Sequence, residues 1–208
     1  FVTFQETVHR KNPQALHVTV LARTWWGIVR HPTFVAFTAV SAASYGGLFT
    51  FLASSSFVFI GLIGLARWQY GLLLFSMAFT YILGTLLCRR LLLRHGVHRT
   101  VAIGGSVSLV GGGWLLVNAW LGWQTLVGLM GPFYLFILAH GIHQPCGQSG
   151  AVGPFPKAAG AASALGGFLM MVIAFATGLW LGSAKDGSAL PMAQGIAFWA
   201  LITALSAW

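Results

Sequence analysis

The sequence predicts an all-α membrane protein with six transmembrane helices, and three observations predict it. Eleven Lys and Arg and only two Asp and Glu occur in 208 residues, gathered into short clusters that bracket long uncharged runs. Those runs match one bilayer crossing or nearly two, since about 20 apolar residues rising about 1.5 Å each cross a hydrocarbon core of about 30 Å. The composition, 57% hydrophobic and 6% charged with a mean hydropathy of +0.82, is far from the roughly 25% charged residues of a soluble domain. A formal net charge of +9 raises the question of nucleic acid. The basic residues are separated by apolar spans and form no continuous stripe, so membrane topology explains them and no nucleic-acid partner is expected.

Residues 1–33 hold Glu6, Arg10, Lys11, Arg23 and Arg30, with Pro13 and Pro32 as breakers. They read as a cytoplasmic loop around a short helix, QALHVTVLARTWWGIVR, whose mixture of apolar residues, His17, Arg23, Arg30 and the pair Trp25 and Trp26 suits the membrane interface. An ordinary solvent-facing linker helix is the alternative. The six spans then follow at about 34–58, 70–88, 101–121, 125–145, 158–181 and 189–208. The uncharged stretch from Arg30 to Arg67 has room for one long span and an exit segment. Between spans two and three comes the densest basic cluster, RRLLLRHGVHR, with Arg89, Arg90, Arg94 and Arg99. From Thr100 to Pro156 the chain is again uncharged, enough for two spans joined by a tight turn at Leu121, Gly122, Trp123 and Gln124. The segment from Cys146 to Lys157, with Pro154 and Pro156, is expected to be a loop because each Pro removes a backbone donor and crowds the preceding turn. Lys185 and Asp186 mark the turn before span six.

Six spans put both ends of the chain on one side. That side would carry Arg10, Lys11, Arg23, Arg30, Arg89, Arg90, Arg94, Arg99 and Lys157, against Arg67 and Lys185 on the other. By the positive-inside rule it is the cytoplasmic one. The chain starts at Phe1 with neither an initiating Met nor a signal-peptide pattern, and stops at Trp208 inside an apolar run, so an internal fragment of a longer protein is expected. Cys88 and Cys146 fall near the cytoplasmic ends of spans and read as small apolar packing residues, with no disulfide framework.

Small residues recur at helical spacing in span five, with Ala159, Ser163 and Gly167 on one ladder and Gly160 and Ala164 on another. Such ladders let membrane helices approach closely. Gly111, Gly112 and Gly113 in span three suggest a flexible or closely packed region. Span four carries His140, His143, Gln144 and Pro145, with Cys146 next. Polar groups at membrane depth face protein or water, which makes this cluster the leading site candidate. Three readings stay open: a metal or haem site built on two imidazoles three residues apart, a polar helix end bonded to neighbouring backbone, or a cavity or gate. The only carboxylates, Glu6 and Asp186, lie in loops, so no span holds an acid that would carry a proton.

The stretch AHGIHQPCGQSGAVGPFPKAAGAASALGGFLMM, from Ala139 to Met171, resembles the tenth to eleventh helices of bacterial Bcr/CflA-type drug:proton antiporters of the major facilitator superfamily. A Gly and polar residues run into a Pro, a Pro-containing loop follows, and an A-G-x-A-S-A-L run occupies Ala159 to Leu165. Gln5, Glu6 and Thr7 resemble the P-E-T element after the sixth helix, with Gln5 in place of Pro. Gly84 through Arg99 resembles a degenerate copy of the loop motif between helices eight and nine, keeping Arg94, Gly96 and Arg99. Ala161 stands where many relatives have Thr, and Cys146 where many have Asn.

The resemblance implies the C-terminal six-helix half of a twelve-helix transporter in the bacterial inner membrane, exporting small lipophilic compounds in exchange for protons. It implies no enzyme activity and no cofactor, and it assigns the proton-coupling acids to an N-terminal six-helix half that would be the partner of this one. Membrane lipids are the remaining partner. In the superfamily layout spans one, two, four and five of this half border the central cavity, and alternating access is a rocking of the two halves. That layout makes Tyr45, Phe49 and Leu52, then Phe75 and Phe79, then His140 and Gln144, then Ser163 and Met170 the candidate substrate-binding residues, since aromatic and Met side chains suit varied lipophilic molecules. The alternatives are an intramembrane His-ligated metal or haem protein and a six-span membrane subunit that does not transport.

Overall fold

The computed structural model describes residues 17–184 and 186–208. The Gln5 to Thr7 element, Glu6, Arg10, Lys11, Pro13 and Lys185 therefore lie outside the described residues. Among the described residues the structure is all helical: α1 (Val18–Val29), α2 (Pro32–Ser56) continuing into a π-helical segment (Phe57–Leu62), α3 (Arg67–Trp120), α4 (Leu126–Val152), α5 (Ala159–Ser183) and α6 (Leu190–Ala207).

Local chemistry sets the helix starts and stops. His31 is extended (φ −78°, ψ 120°) because a proline follows, and Pro32 then opens α2 where its missing N–H is not needed. Thr125 caps α4, its hydroxyl oxygen accepting from the Gly128 N–H at 3.1 Å. Asp186 tightens the turn before α6 by accepting from the Ser188 hydroxyl at 2.7 Å and the Ser188 N–H at 2.9 Å. Those two bonds hold its carboxyl below the usual carboxylate range.

Five helical segments are long and apolar enough to cross a membrane, and one of them, α3, has 54 residues. That length is two crossings, and the reversal comes at Gly96, whose backbone (φ 73°, ψ 178°) only glycine adopts readily. Contacts with α4 show the change of direction. Ser76 meets Tyr134, Gly84 meets Leu138 and Gly141, and Cys88 meets Cys146, so this half of α3 runs parallel to α4. Beyond the break Gly104 meets His143, Gly111 meets Phe136, and the Asn118 amide donates to the Gly128 carbonyl, so the second half runs antiparallel to it. Among the described residues the helices thus have the length for six crossings, and Arg89, Arg90 and Arg94 extend the second of these segments as helix rather than forming a loop.

The described cations separate between the two ends of the bundle. Residue 46 lies against Trp199, residue 47 against Phe136 and residue 147 against Ser41, so α2 runs antiparallel to both α4 and α6. Arg30, the Arg89 to Arg99 cluster and Lys157 consequently share one end, and Arg67 and Asp186 share the other. The four arginines of the basic cluster are exposed. Helix α1 packs at this basic end, where its Ile28 joins Phe34, Ala151, Ala162 and Leu165 in a buried cluster. Trp26 remains 60% exposed, with the Arg30 guanidinium 4.3 Å over its ring.

Two expectations about packing are corrected. Pro145 does not end the fourth span: α4 continues through Pro132 and Pro145 to Val152. Neighbouring helices hold it on several sides, and in a membrane a proline within a helix is tolerated where packing supports the freed backbone group. The small-residue ladders of α5 face outward. An added Cβ at Gly160 or Gly167 would meet nothing within 4 Å, and Ser163 and Ala164 are exposed, while Ala162 and Leu165 make the buried contacts. Close backbone approach is found instead between α3 and α4. A Cβ on Gly141 would stand 2.6 Å from the Tyr81 carbonyl oxygen and 2.9 Å from the Gly84 Cα. The triple glycine divides its work: Gly111 lies against the α4 backbone, Gly112 against Ala200 of α6, and Gly113 is open.

Candidate functional site

The site is built where α2 crosses α4. Ser41 and Ser44 lie one turn apart on α2, and His140, His143, Gln144 and Gln148 recur at the same spacing on α4, so two polar stripes meet face to face. The Ser44 hydroxyl lies 2.8 Å from His140 Nδ1 and 3.3 Å from His143 Nδ1. One hydroxyl has one proton, so it donates to one imidazole and accepts from the other. When both rings are neutral, they are therefore opposite tautomers. One turn on, the Gln144 amide donates to the Ser41 carbonyl at 3.1 Å and its oxygen accepts from Gln148 at 3.1 Å. His143 is fully buried, with Nε2 unpartnered against Gly104, where a Cβ would come within 2.7 Å of it. His140 is also buried and carries the Tyr81 ring at 5.8 Å.

Where a polar helix end bonded to neighbouring backbone was one reading, both imidazoles of α4 instead lie within hydrogen-bond distance of the Ser44 hydroxyl of α2, well inside both helices. Among the described residues no group of three His, Cys, Asp or Glu side chains comes close enough to hold a metal ion. Below the His pair, Cys88 and Cys146 are buried free thiols with their sulfurs 3.4 Å apart. Their proximity was not foreseen, since one cysteine on each of two spans gives no register.

Two cavities adjoin the polar seam. The larger, about 380 Å³, lies between α2, α3 and α4 and is lined by Leu48, Leu52, Met77, Tyr81, Ile137 and His140, among others. It is an apolar concavity with an imidazole at one wall, of a size used for small-molecule sites. The smaller, about 130 Å³, lies between α2, α4 and α5 and includes Thr38, Ser41, Gln148, Ser163 and Met170. The buried Thr38 hydroxyl oxygen at this second cavity has no partner.

The predicted site residues are thus distributed. Leu52 and His140 share the larger cavity, and Ser163 and Met170 the smaller. Gln144 is buried in the seam between them. Tyr45 and Phe49 are half-buried on α2, and Phe49 reaches toward Gly178 of α5. Phe75 and Phe79 line neither cavity. They stack edge to face at 4.9 Å and are 62% and 56% exposed on the outer face of α3. Sequence reasoning missed Ser41, Ser44 and Tyr81. The signal for the serines was present as a hydroxyl pair at the three-residue spacing of His140 and His143.

Comparison with known proteins gives one informative relative. The bicyclomycin resistance protein homolog of Haemophilus influenzae is 24% identical over 195 residues, covering 92% of this chain and 48% of the relative. The chain spans about half the length of that curated relative. No family model matches, and no solved structure matches. This similarity runs along nearly the whole chain, including the stretch from Ala139 to Met171, and supports the resemblance to Bcr/CflA-type proteins of the major facilitator superfamily.

Proposed function

We propose that this chain is the C-terminal six-span half of a multidrug exporter that moves small lipophilic compounds out across the bacterial inner membrane in exchange for protons. The observation that carries the reading is the 380 Å³ apolar cavity walled by His140, with Leu52, Met77 and Tyr81 beside it. Its chemistry suits lipophilic molecules of varied shape, because Met and aromatic side chains adapt while one imidazole supplies a polar contact. The relative named for bicyclomycin resistance supports a small-molecule cargo.

In this reading the basic end, with Arg30, Arg89, Arg90, Arg94, Arg99 and Lys157, is cytoplasmic, and Arg67 and Asp186 are external. The outward faces of α3 and α5 belong against the other six spans: Phe75 and Phe79 on one, and the open ladder of Gly160, Ser163, Ala164 and Gly167 on the other. Small residues there would let a partner helix approach to backbone distance. Substrate then meets Tyr45, Phe49, Leu52, His140, Gln144, Ser163 and Met170 as the halves rock. Proton coupling rests with acids outside the described spans.

The test is proton-gradient-driven efflux of several dyes from vesicles containing the complete transporter. His140→Ala should change which dyes are exported, or how tightly they bind, while proton-driven export of at least one survives. Loss of all proton-driven movement with dye binding intact would place coupling in this half and overturn the division of labour. Efflux unaltered for every dye would remove His140 from the substrate path.

A further inference from the structure

A third concavity lies away from the polar seam, on the outer side of the bundle between α5 and α6. It holds about 540 Å³ and is lined by Ala176, Thr177, Trp180, Gln194, Phe198 and Trp199, among others. The Trp199 indole N–H already donates to the Thr177 hydroxyl at 3.1 Å, which ties the floor of the groove together. Gln194 is exposed, as are Trp180 and Phe198.

Depth decides what can fill such a groove. Helix α6 has 18 residues, about 27 Å, and so nearly matches the hydrocarbon core of about 30 Å. Gln194 is its fifth residue, about 6 Å below the helix start, and Trp199 lies about 14 Å below it. The groove therefore runs from the polar boundary toward mid-membrane. Trp180, within a turn of the end of α5, stands at the same boundary, where Trp side chains concentrate. Side chains on a helix lean toward its N-terminus, which aims the Gln194 carboxamide back at the headgroup level. A carboxamide on a lipid-facing surface needs a hydrogen-bond partner, and hydrocarbon offers none.

We propose that this groove is a phospholipid site, in which one acyl chain lies along Phe198 and Trp199 and the Gln194 amide donates to an ester carbonyl of the lipid. The apolar lining takes the chain and the amide fixes its head, so the ligand class is a glycerophospholipid rather than a transported solute. The inference does not depend on what the cavity at His140 carries.

The experiment uses the complete transporter in palmitoyl-oleoyl phosphatidylcholine vesicles containing a phosphatidylcholine with a diazirine on one acyl chain, with adducts located by mass spectrometry of peptides. Groove residues should label severalfold more than Val110 and Val117, which are exposed on the second half of α3 outside the groove. Ala176→Trp, which fills the groove, and Gln194→Leu, which removes the amide without filling it, should each bring groove labelling down to the level of those two. Equal labelling of groove and outer face in the unaltered protein would overturn the proposal, as would labelling that survives both substitutions. Displacement of the photolipid by an exported dye would overturn it in another way, by assigning the groove to substrate passage.

Discussion

Helices α4 and α5 are close in length, 27 and 25 residues, and both are long enough to span the membrane. The more apolar of the two lies outside. Helix α5, with mean hydropathy 2.0, presents Phe168, Met171, Val172, Phe175 and Leu179 outward, while α4, at 1.5, is surrounded by both halves of α3 and by α2. In water the ranking would be reversed. In a bilayer lipid is as apolar as Leu, so hydrophobicity does not draw a helix inward. Polar groups needing partners, and glycines permitting backbone contact, do so instead. Helix α4 has both: His140, His143 and Gln144 bond to α2, and Gly141 meets Gly84.

The largest expected effect tests the backbone contact. Gly141→Leu would drive a side chain into the Tyr81 carbonyl and the Gly84 Cα, neither of which can yield like a side-chain tip. Overpacking of this kind costs about 3 kcal/mol, enough to lower the amount of folded protein recovered in mild detergent. Normal yield and an unchanged melting temperature would break the comparison at its strongest point.

A smaller loss is expected at the polar seam. Ser44 is the shared partner of both Nδ1 atoms, so Ser44→Ala leaves two buried nitrogens unpaired at a cost of about 1–3 kcal/mol. Thermal denaturation of the detergent-solubilised protein reads this directly. A melting temperature equal to that of the unaltered protein would mean that the seam does not hold α4 against α2.

The register between α3 and α4 is open to a test with almost no energetic consequence. Cys88 and Cys146, buried with their sulfurs 3.4 Å apart, should be joined as a disulfide by the small oxidant iodine in detergent, blocking labelling of both by maleimide once SDS has unfolded the protein. Cys88→Ser should leave Cys146 free to label. Failure to join them in the solubilised protein would shift one helix along the other and undo the contacts assigned to Gly84 and Gly141.

Much of the fold was legible because its signals are local. Charge clusters bracket the spans, and the turn glycine at Gly122 (φ 78°) sits where four residues had to reverse the chain. What was not legible is pairwise. Pro145 looked like a helix end because the rule for proline concerns one helix alone, whereas here neighbouring helices support the backbone around it. His140 stood out as a polar residue at depth, but its partner Ser44 lies 96 residues away, and a serine in an apolar run gives no sign of what it faces. Small-residue ladders mark surfaces suited to close approach without naming the neighbour, which is how the α5 ladder drew attention while the contacts at Gly84 and Gly141 did not.

The smallest effect is expected at that ladder, and it completes the contrast with Gly141. A Cβ added at Gly160 would meet nothing within 4 Å, and the residues that seat α5, Ala162 and Leu165, point elsewhere. Gly160→Leu should therefore leave these six spans intact, with a change within about 0.5 kcal/mol, as for a substitution that touches no packed neighbour. If the open ladder receives a helix of the other half, the same change in the complete transporter should reduce dye efflux far more than it reduces the melting temperature, because it blocks approach of the halves without unfolding either. The two readings come from one preparation. A melting temperature lowered as much as by Gly141→Leu would show that α5 is packed on its ladder face within this half. Efflux and melting temperature both unchanged would show that no helix approaches there.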